Sequence, residues 1–407
     1  MTIRRITALL TAVVLLLCVM PAASAYSDEG DIRNTEAVTM LTALNIISGF
    51  PDGSFMPGEP VTREQAAKMI ASILQLKDSS FNWDGSSTFS DSSSWAGEYI
   101  EYCAAKGIIS GYSDGTFDPG GYITADQMFK LLLVAVGNDP APYVGETWLE
   151  NVRADAMECG LYDNFTGSTV DTLNRDDACL LIFNALKCHV ITGYENGEPV
   201  YCLDDLMNPV TMLEYYFDAK MYTEVVTGNE FADLTVEDGR LEKGKTKIAG
   251  HKEFDISTDI EFLGRQVNIY ISSDGDFISE PVISEQDLIM TFSTGSEFDN
   301  YYMLGQIKMS DSTEYYYNYN TDNFSVVGKL DDNCTVTVID RNGDDIIDVM
   351  LVTAYQTATI SGKDDIGWLL ENGEYIEFAD MHAPELEFEA GQQIKIAQIG
   401  GLVYVLD

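Results

Sequence analysis

The chain has 407 residues and carries 66 Asp and Glu against 23 Lys and Arg, a formal net charge of −43. A surface of that sign repels nucleic acid and anionic lipid at long range, so neither is expected as a partner. The apolar share of 45% is too high for a disordered chain, and the length suits two or three domains.

Residues 1–25 read as a secretory signal. Arg4 and Arg5 form the positive start, Ala8 to Met20 the apolar stretch, and Ala23-Ser24-Ala25 the small-residue cleavage site. The apolar run is too short for a membrane anchor, and no later stretch is long and apolar enough to span a bilayer. The mature chain is therefore expected to begin at Tyr26, outside the membrane.

From residue 31 one pattern recurs. It is clearest in residues 89–137. There Trp95, Ala96, Tyr99, Ile100, Cys103 and Ala104 share one helical face, and Gly107 ends that helix. The run Gly107-Ile-Ile-Ser-Gly-Tyr112-Ser-Asp114-Gly115-Thr-Phe117-Asp-Pro119 makes a glycine-rich turn. Thr124 and Gln127 stand at capping-box spacing ahead of a second apolar stripe, Met128, Leu131, Leu132, Ala135 and Val136. Residues 31–76 repeat the plan. Asn45-Ile-Ile-Ser-Gly49-Phe50-Pro-Asp52-Gly53-Ser-Phe55-Met-Pro57 is followed by Thr62, Gln65 and a stripe of Ala66, Met69, Ile70, Ile73 and Leu74. A worn third copy occupies residues 144–188. It keeps Trp148, Gly160 and a stripe of Ala178, Leu181, Ile182, Ala185 and Leu186, and it puts Asn174 and Asp177 at the cap positions, but its turn is shorter and lacks the Asp-Gly pair. A helix–turn–helix unit of this size cannot bury its own apolar faces, so the copies must share one core.

On these residues the chain resembles S-layer homology repeats, whose pattern is a Trp in the first helix, a Gly-Tyr-x-Asp-Gly-x-Phe turn and an Ile-Thr-Arg-Ala-Glu helix start. The second copy carries the turn best, and the first carries the helix start best, as Val61-Thr62-Arg63-Glu64-Gln65. The resemblance implies an all-α, pseudo-threefold repeat domain. Its inter-repeat grooves would hold a secondary cell-wall polysaccharide, often one bearing a ketal-linked pyruvate.

Arg63 and Arg175 fall at the second position of the helix-start motif. A cation in a first helical turn opposes the macrodipole, and capping does not need it. Two readings stay open: the guanidinium and the helix N-terminus together grip an anion, or the arginine pairs with one of the many acids. In the second copy Ala125 holds this position, so that groove is expected to lack its anchor. Thr62 and Asn174 are explained as caps, although they flank the same site. Trp95 and Trp148 either fill the core or stack on a sugar face, and Tyr112 and Phe50, at matching turn positions, share that choice.

Residues 77–88 and 138–142 are polar, turn-rich connectors. Six cysteines remain after the signal, expected as small buried residues or with a pair such as Cys188 and Cys202 bridged. Residues 189–222 read as a connector with a short helix, and residues 223–407 as a β-rich region of one or two small barrels or sandwiches. Alternation marks strands at Gln266–Ile271, Cys334–Asp340 and Gln393–Ala397, and Gly400-Gly401 marks a hairpin. The fold class expected is thus α+β and multidomain, with helical repeats followed by a β region. Asp340, Asn342 and Asp344, with Asp348, have the oxygen spacing that opens a calcium loop, but Asp345 and Leu351 stand where its glycine and closing Glu belong. A plain hairpin turn is the better reading, so Ca²⁺ is at most a weak expectation and no other cofactor is implied. No catalytic constellation appears: His189, His251 and His382 lie apart, and no nucleophile or phosphate-loop motif is present.

The whole reads as a non-enzymatic, exported cell-surface protein that docks on wall polysaccharide through its repeats and displays an acidic β region. A wall-bound hydrolase in residues 190–407 and a self-associating S-layer lattice subunit are the alternatives.

Overall fold

The computed structural model describes residues 26–406 apart from 79, 93, 94, 285, 322–329 and 384. The signal segment thus lies outside the described residues. Two compact units emerge, one running to Lys220 and taking in Ile271–Ser279, the other comprising Met221–Tyr270 and the chain from Glu280 onward.

The first unit contains three helix pairs: α1 (Thr35–Ala43) with α2 (Arg63–Leu74), α3 (Gly97–Ala105) with α4 (Ala125–Val136), and α5 (Trp148–Glu158) with α6 (Arg175–Lys187). The second helix of each pair is stopped from fraying by the residue before it. Thr62 and Thr124 complete capping boxes with Gln65 and Gln127, and the Asn174 side chain accepts from the Asp177 N–H. All three apolar stripes point inward, with Ile70, Ile73, Met128, Leu132, Leu181 and Ile182 nearly or wholly out of water. Gly107, at φ +72°, closes α3 in the left-handed region as the sequence expects. One expectation shifts. Because α3 begins at Gly97, Trp95 precedes it and is 52% exposed, and the ring that the helix buries is Tyr102.

Short extended segments ahead of the second helices bind one another in a cycle. Val61 N–H donates to the Leu173 carbonyl, Leu173 N–H to that of Ile123, and Ile123 N–H to that of Val61, all at 2.8–3.0 Å. The first-turn amides are taken up in the same way: Arg63 and Glu64 N–H donate to Gly121 and Pro119, and Arg175 and Asp176 N–H to Glu59 and Pro57. Ion pairs fasten two of the three junctions. Arg153 grips the buried carboxylate of Asp126 through two bonds of 2.9 and 2.7 Å and also reaches Thr169. Arg33 spans Asp176 and Asp177. Both arginines match no recurring motif in the sequence, and both serve to tie one helix pair to the next.

The glycine-rich turns of the first two copies are clamped from upstream. Asp28 accepts the N–H groups of Phe55 and Met56, and Asp91 those of Phe117 and Asp118, at 2.7–2.8 Å. These backbone donors hold both carboxyls below the usual aspartate range. A depressed folded-state pKa contributes stability that is present above the unfolded value of about 3.9 and is lost as pH falls through the folded value. Asp91→Asn should therefore melt below the unsubstituted protein at pH 7, and the two melting curves should converge in acid below that range. A gap that stayed constant across the titration would show that the clamp does not depend on charge.

The connector expected at 189–222 contains, besides the short helix α7 (Met212–Phe217), a hairpin of β1 (Ile191–Glu195) and β2 (Glu198–Tyr201) that the sequence reading missed. The second unit holds three five-stranded sheets, where one or two barrels or sandwiches were expected. The first is built on β3 (Ala219–Asn229), β4 (Thr246–Ile248), β5 (Glu253–Phe254), β6 (Gln266–Ser272) and β7 (Val282–Ile283), in the order β5-β4-β3-β6-β7. The next contains β8 (Leu288–Phe292), helix α8 (Gly295–Met303) leading out of it, β9 (Lys308–Tyr317), β10 (Asn320–Thr321), β11 (Cys334–Asp340) and β12 (Ile346–Ala354), with strand order β10-β9-β12-β11-β8. Its β9 and β12 run parallel, a pairing that α8 makes possible and that no local sequence signal announces. The last sheet is β13 (Gln356–Lys363), β14 (Gly367–Leu370), β15 (Tyr375–Glu377), β16 (Gln393–Ile399) and β17 (Leu402–Leu406), its final hairpin turning at Gly400-Gly401 as expected. Each of the last two sheets has its own small core, around Phe298 and Val336 in one and Ile360 and Trp368 in the other.

Candidate functional site

A cleft of about 330 Å³ opens where the start of α2, the turn of residues 108–117, the outer face of α4 and the start of α5 meet. Arg63, Tyr112, Phe117, Gln127, Lys130 and Trp148 line it. Three residues singled out in the sequence, Arg63, Tyr112 and Trp148, thus converge from all three helix pairs.

Arg63 lies flat against the turn. Its guanidinium carbon is 4.5 Å from the Phe117 ring centre and 5.2 Å from that of Tyr112, and its Nε donates to the Phe117 carbonyl at 2.9 Å. That arrangement spends one of five donors and fixes the plane of the fork, leaving its outer edge toward the cleft. Lys130 was not singled out in the sequence. It sits six residues past the cap residue Thr124, on the flank of the apolar stripe, and it is half-buried. Burial first, and then the charge of Arg63, push its ammonium below the usual lysine range. Among the described residues neither cation has a carboxylate within ion-pair distance. In a chain with a net charge of −43, two adjacent cations without a counter-ion are a deliberate local exception. They leave the cleft with two positive charges that no side-chain carboxylate balances.

The sequence reading needs one correction here. The helix N-terminus does not join Arg63 in gripping an anion, because the Arg63, Glu64 and Gln65 N–H groups already donate to Gly121, Pro119 and the Thr62 side chain. Thr62 and Asn174 are accordingly caps and stand apart from the cleft lining.

Arg175 occupies the matching place between the third and first copies, but deeper. It is 7% exposed, its Nε and Nη2 donate to the carbonyls of Phe55 and Ser48, and it covers the Phe50 and Phe55 rings at 5.0 and 4.8 Å. With two donors committed to backbone and burial opposing its charge, Arg175 acts first as a structural tie. At the remaining junction Ala125 stands where the arginine would be, and Phe129 fills the space, packed on Tyr162 and Phe165 at 4.4 and 5.9 Å. The guanidinium at this junction is that of Arg153, and it is committed to Asp126 and Thr169. Trp95 is exposed and lies outside the cleft lining, whereas Trp148 forms one wall.

The loop of Asp340, Asn342, Asp344 and Asp348 turns its oxygens inward on its own backbone. Asp340 accepts from the N–H groups of Asn342, Gly343 and Asp345, Asn342 from Asp344, Asp344 from Ile346, and Asp348 from Arg341. These are turn-forming bonds of the β11–β12 hairpin. Among the described residues no group of three or more acidic, His or Cys side chains is placed to hold a metal ion.

The family model of the S-layer homology domain matches residues 25–67 and 88–129, which together hold Arg63, the clamped turn and the start of α4. The chain carries S-layer homology repeats. Similar proteins include the "Cell surface protein" of Thermoanaerobacter kivui, 26% identical over 337 residues, covering 79% of this chain and 41% of that protein. The "Cellulosome-anchoring protein" of Acetivibrio thermocellus is 35% identical over 98 residues, covering 24% of this chain and 22% of the relative. The "S-layer protein" of Bacillus thuringiensis subsp. finitimus is 30% identical over 131 residues, covering 31% and 16%. The chain therefore spans less than half the length of these relatives. An S-layer homology domain in the company of cell-surface and S-layer relatives indicates an exported protein of the cell surface. No described helix is long and apolar enough to cross a membrane.

Proposed function

We propose that the chain anchors itself non-covalently to an acidic secondary cell-wall polysaccharide through the cleft at Arg63 and Lys130, and that residues 26–188 form a single pseudo-threefold unit of three S-layer homology repeats. The observation that carries the binding reading is a pair of cations with no carboxylate partner among the described residues, beside an indole. A carboxylate on the glycan, such as that of a ketal-linked pyruvate, takes two N–H donors from the outer edge of Arg63 and a third from Lys130. The face of its sugar lies along Trp148. The three-repeat reading is supported by the cycle of backbone bonds through Val61, Ile123 and Leu173 and by the matching caps at Thr62, Thr124 and Asn174. The β region is then the displayed part and takes no role in anchoring. The surface and S-layer names of the relatives support a non-enzymatic chain.

The test is retention of the full mature chain on purified walls before and after chemical removal of pyruvate. Binding should fall when the pyruvate is removed; equal retention on both would discard the carboxylate. Residues 190–407 alone should stay in solution, and retention equal to that of the full chain would move the anchor out of the repeats.

A further inference from the structure

The third helix pair differs from the other two in how its turn is held. Val144 stands where the first two copies place the clamping aspartates Asp28 and Asp91, and the Asp-Gly turn itself is absent. In compensation two cysteines meet at the C-terminal ends of the pair. Cys159 caps α5 and Cys188 caps α6, 29 positions apart in the chain. The Cys188 thiol donates to the Cys159 carbonyl at 2.9 Å, with the Asn184 carbonyl 3.5 Å away, which sets its sulfur beside Cys159. Cys188 is buried and Cys159 only half-buried, so Cys159 is the more accessible of the two. No such pair occurs in the other copies, where Leu44 and Gln75 cap α1 and α2 and Lys106 and Gly137 cap α3 and α4.

We propose that Cys159 and Cys188 are an attacking and resolving pair that closes into a disulfide by exchange with a low-molecular-weight disulfide, stapling α5 to α6. The Cys159 thiolate attacks one sulfur of the external disulfide, forming a mixed disulfide and releasing the first thiol. Cys188, having given up its proton to solvent, attacks the Cys159 sulfur and releases the second thiol. One external disulfide is reduced to two thiols while two protein thiols are oxidised to one disulfide. The nearness of Cys188 favours the Cys159 thiolate, and the nearness of Cys159, together with burial, keeps Cys188 protonated until the mixed disulfide forms.

The experiment treats the full mature chain with oxidised glutathione, alkylates the remaining thiols and maps the unreduced peptides by mass spectrometry. The expected result is a linked peptide containing Cys159 and Cys188, with Cys103, Cys179 and Cys334 alkylated after unfolding. Closing a loop of this length should raise the melting temperature by roughly 5–10 °C. Cys159→Ser should abolish that rise while Cys202→Ser leaves it intact. Linkage of Cys188 to Cys202, or a stable glutathione adduct on Cys159 with Cys188 still free, would overturn the proposal. So would a linked pair with no change in melting.

Discussion

Arg63→Ala is expected to weaken wall binding roughly ten- to a hundredfold, the loss of one charge-assisted contact of about 1.5–3 kcal/mol. Lys130→Ala should act in the same direction. The two losses should not add in full, because the groups face one anion and removing either relieves the repulsion felt by the other. Arg63→Lys should recover only part of the affinity: an ammonium cannot present two parallel donors, and it forfeits the flat contact with Phe117 and Tyr112. Unlike the view from sequence alone, the structure also gives Arg63 a fold contribution, since its Nε satisfies the Phe117 carbonyl. Arg63→Ala should thus lower the melting temperature by a few degrees, in keeping with a net hydrogen-bond worth of about 1 kcal/mol. A binding isotherm beside a melting curve separates the outcomes. Unchanged affinity would place the glycan elsewhere. Lost affinity accompanied by collapse of the fold would make the residue structural.

Gly111→Ala should strongly damage the turn of the second copy. A β-carbon there would lie 2.4 Å from the Phe89 ring and 2.5 Å from the Thr116 carbonyl oxygen. The ring is wedged against Phe117, and the carbonyl is committed to the Tyr112 N–H at 2.7 Å, so neither can retreat without opening the turn. Overpacking at a backbone atom costs about 3 kcal/mol or more. Gly111 and Tyr112 also line the cleft, so wall binding should fall together with stability. Gly49→Ala should behave alike in the first copy, where the obstacles are Tyr26 at 2.6 Å and the Ser54 carbonyl at 2.9 Å. A melting temperature within a degree or two of the parent for either variant would contradict this account of why the turn begins with glycine.

Much of the helical part was legible because its signals are local. Caps, stripe periodicity and left-handed glycines each act within a few residues, and Thr62–Gln65, Thr124–Gln127 and Gly107 do what their spacing implies. The arginine at the helix start was visible as an oddity, yet its surroundings were not. That Arg63 faces an open cleft while Arg175 is folded under Phe50 depends on neighbours more than 50 positions away. Lys130 escaped notice because a lysine beside an apolar stripe is ordinary; only its lack of a carboxylate in three dimensions sets it apart. Arg33 and Arg153 lay outside the recurring motifs, and their partners, Asp126, Asp176 and Asp177, were hidden among 66 acids. In the β region strands such as Cys334–Asp340 were found by alternation. The sheet order and the parallel β9–β12 pair depend on long-range pairing that alternation does not encode.

The cycle of backbone bonds among Val61, Ile123 and Leu173 has a bearing on how such a domain can change over generations. An open stack of repeats lengthens or shortens one unit at a time, because only its end units are special. A ring has no ends. Deleting one member strands a donor on one neighbour and an acceptor on the other, and inserting a fourth breaks the closure. Within the ring, the residues around each segment can vary in sequence, provided the segment still hands its N–H to one neighbour and its carbonyl to the other.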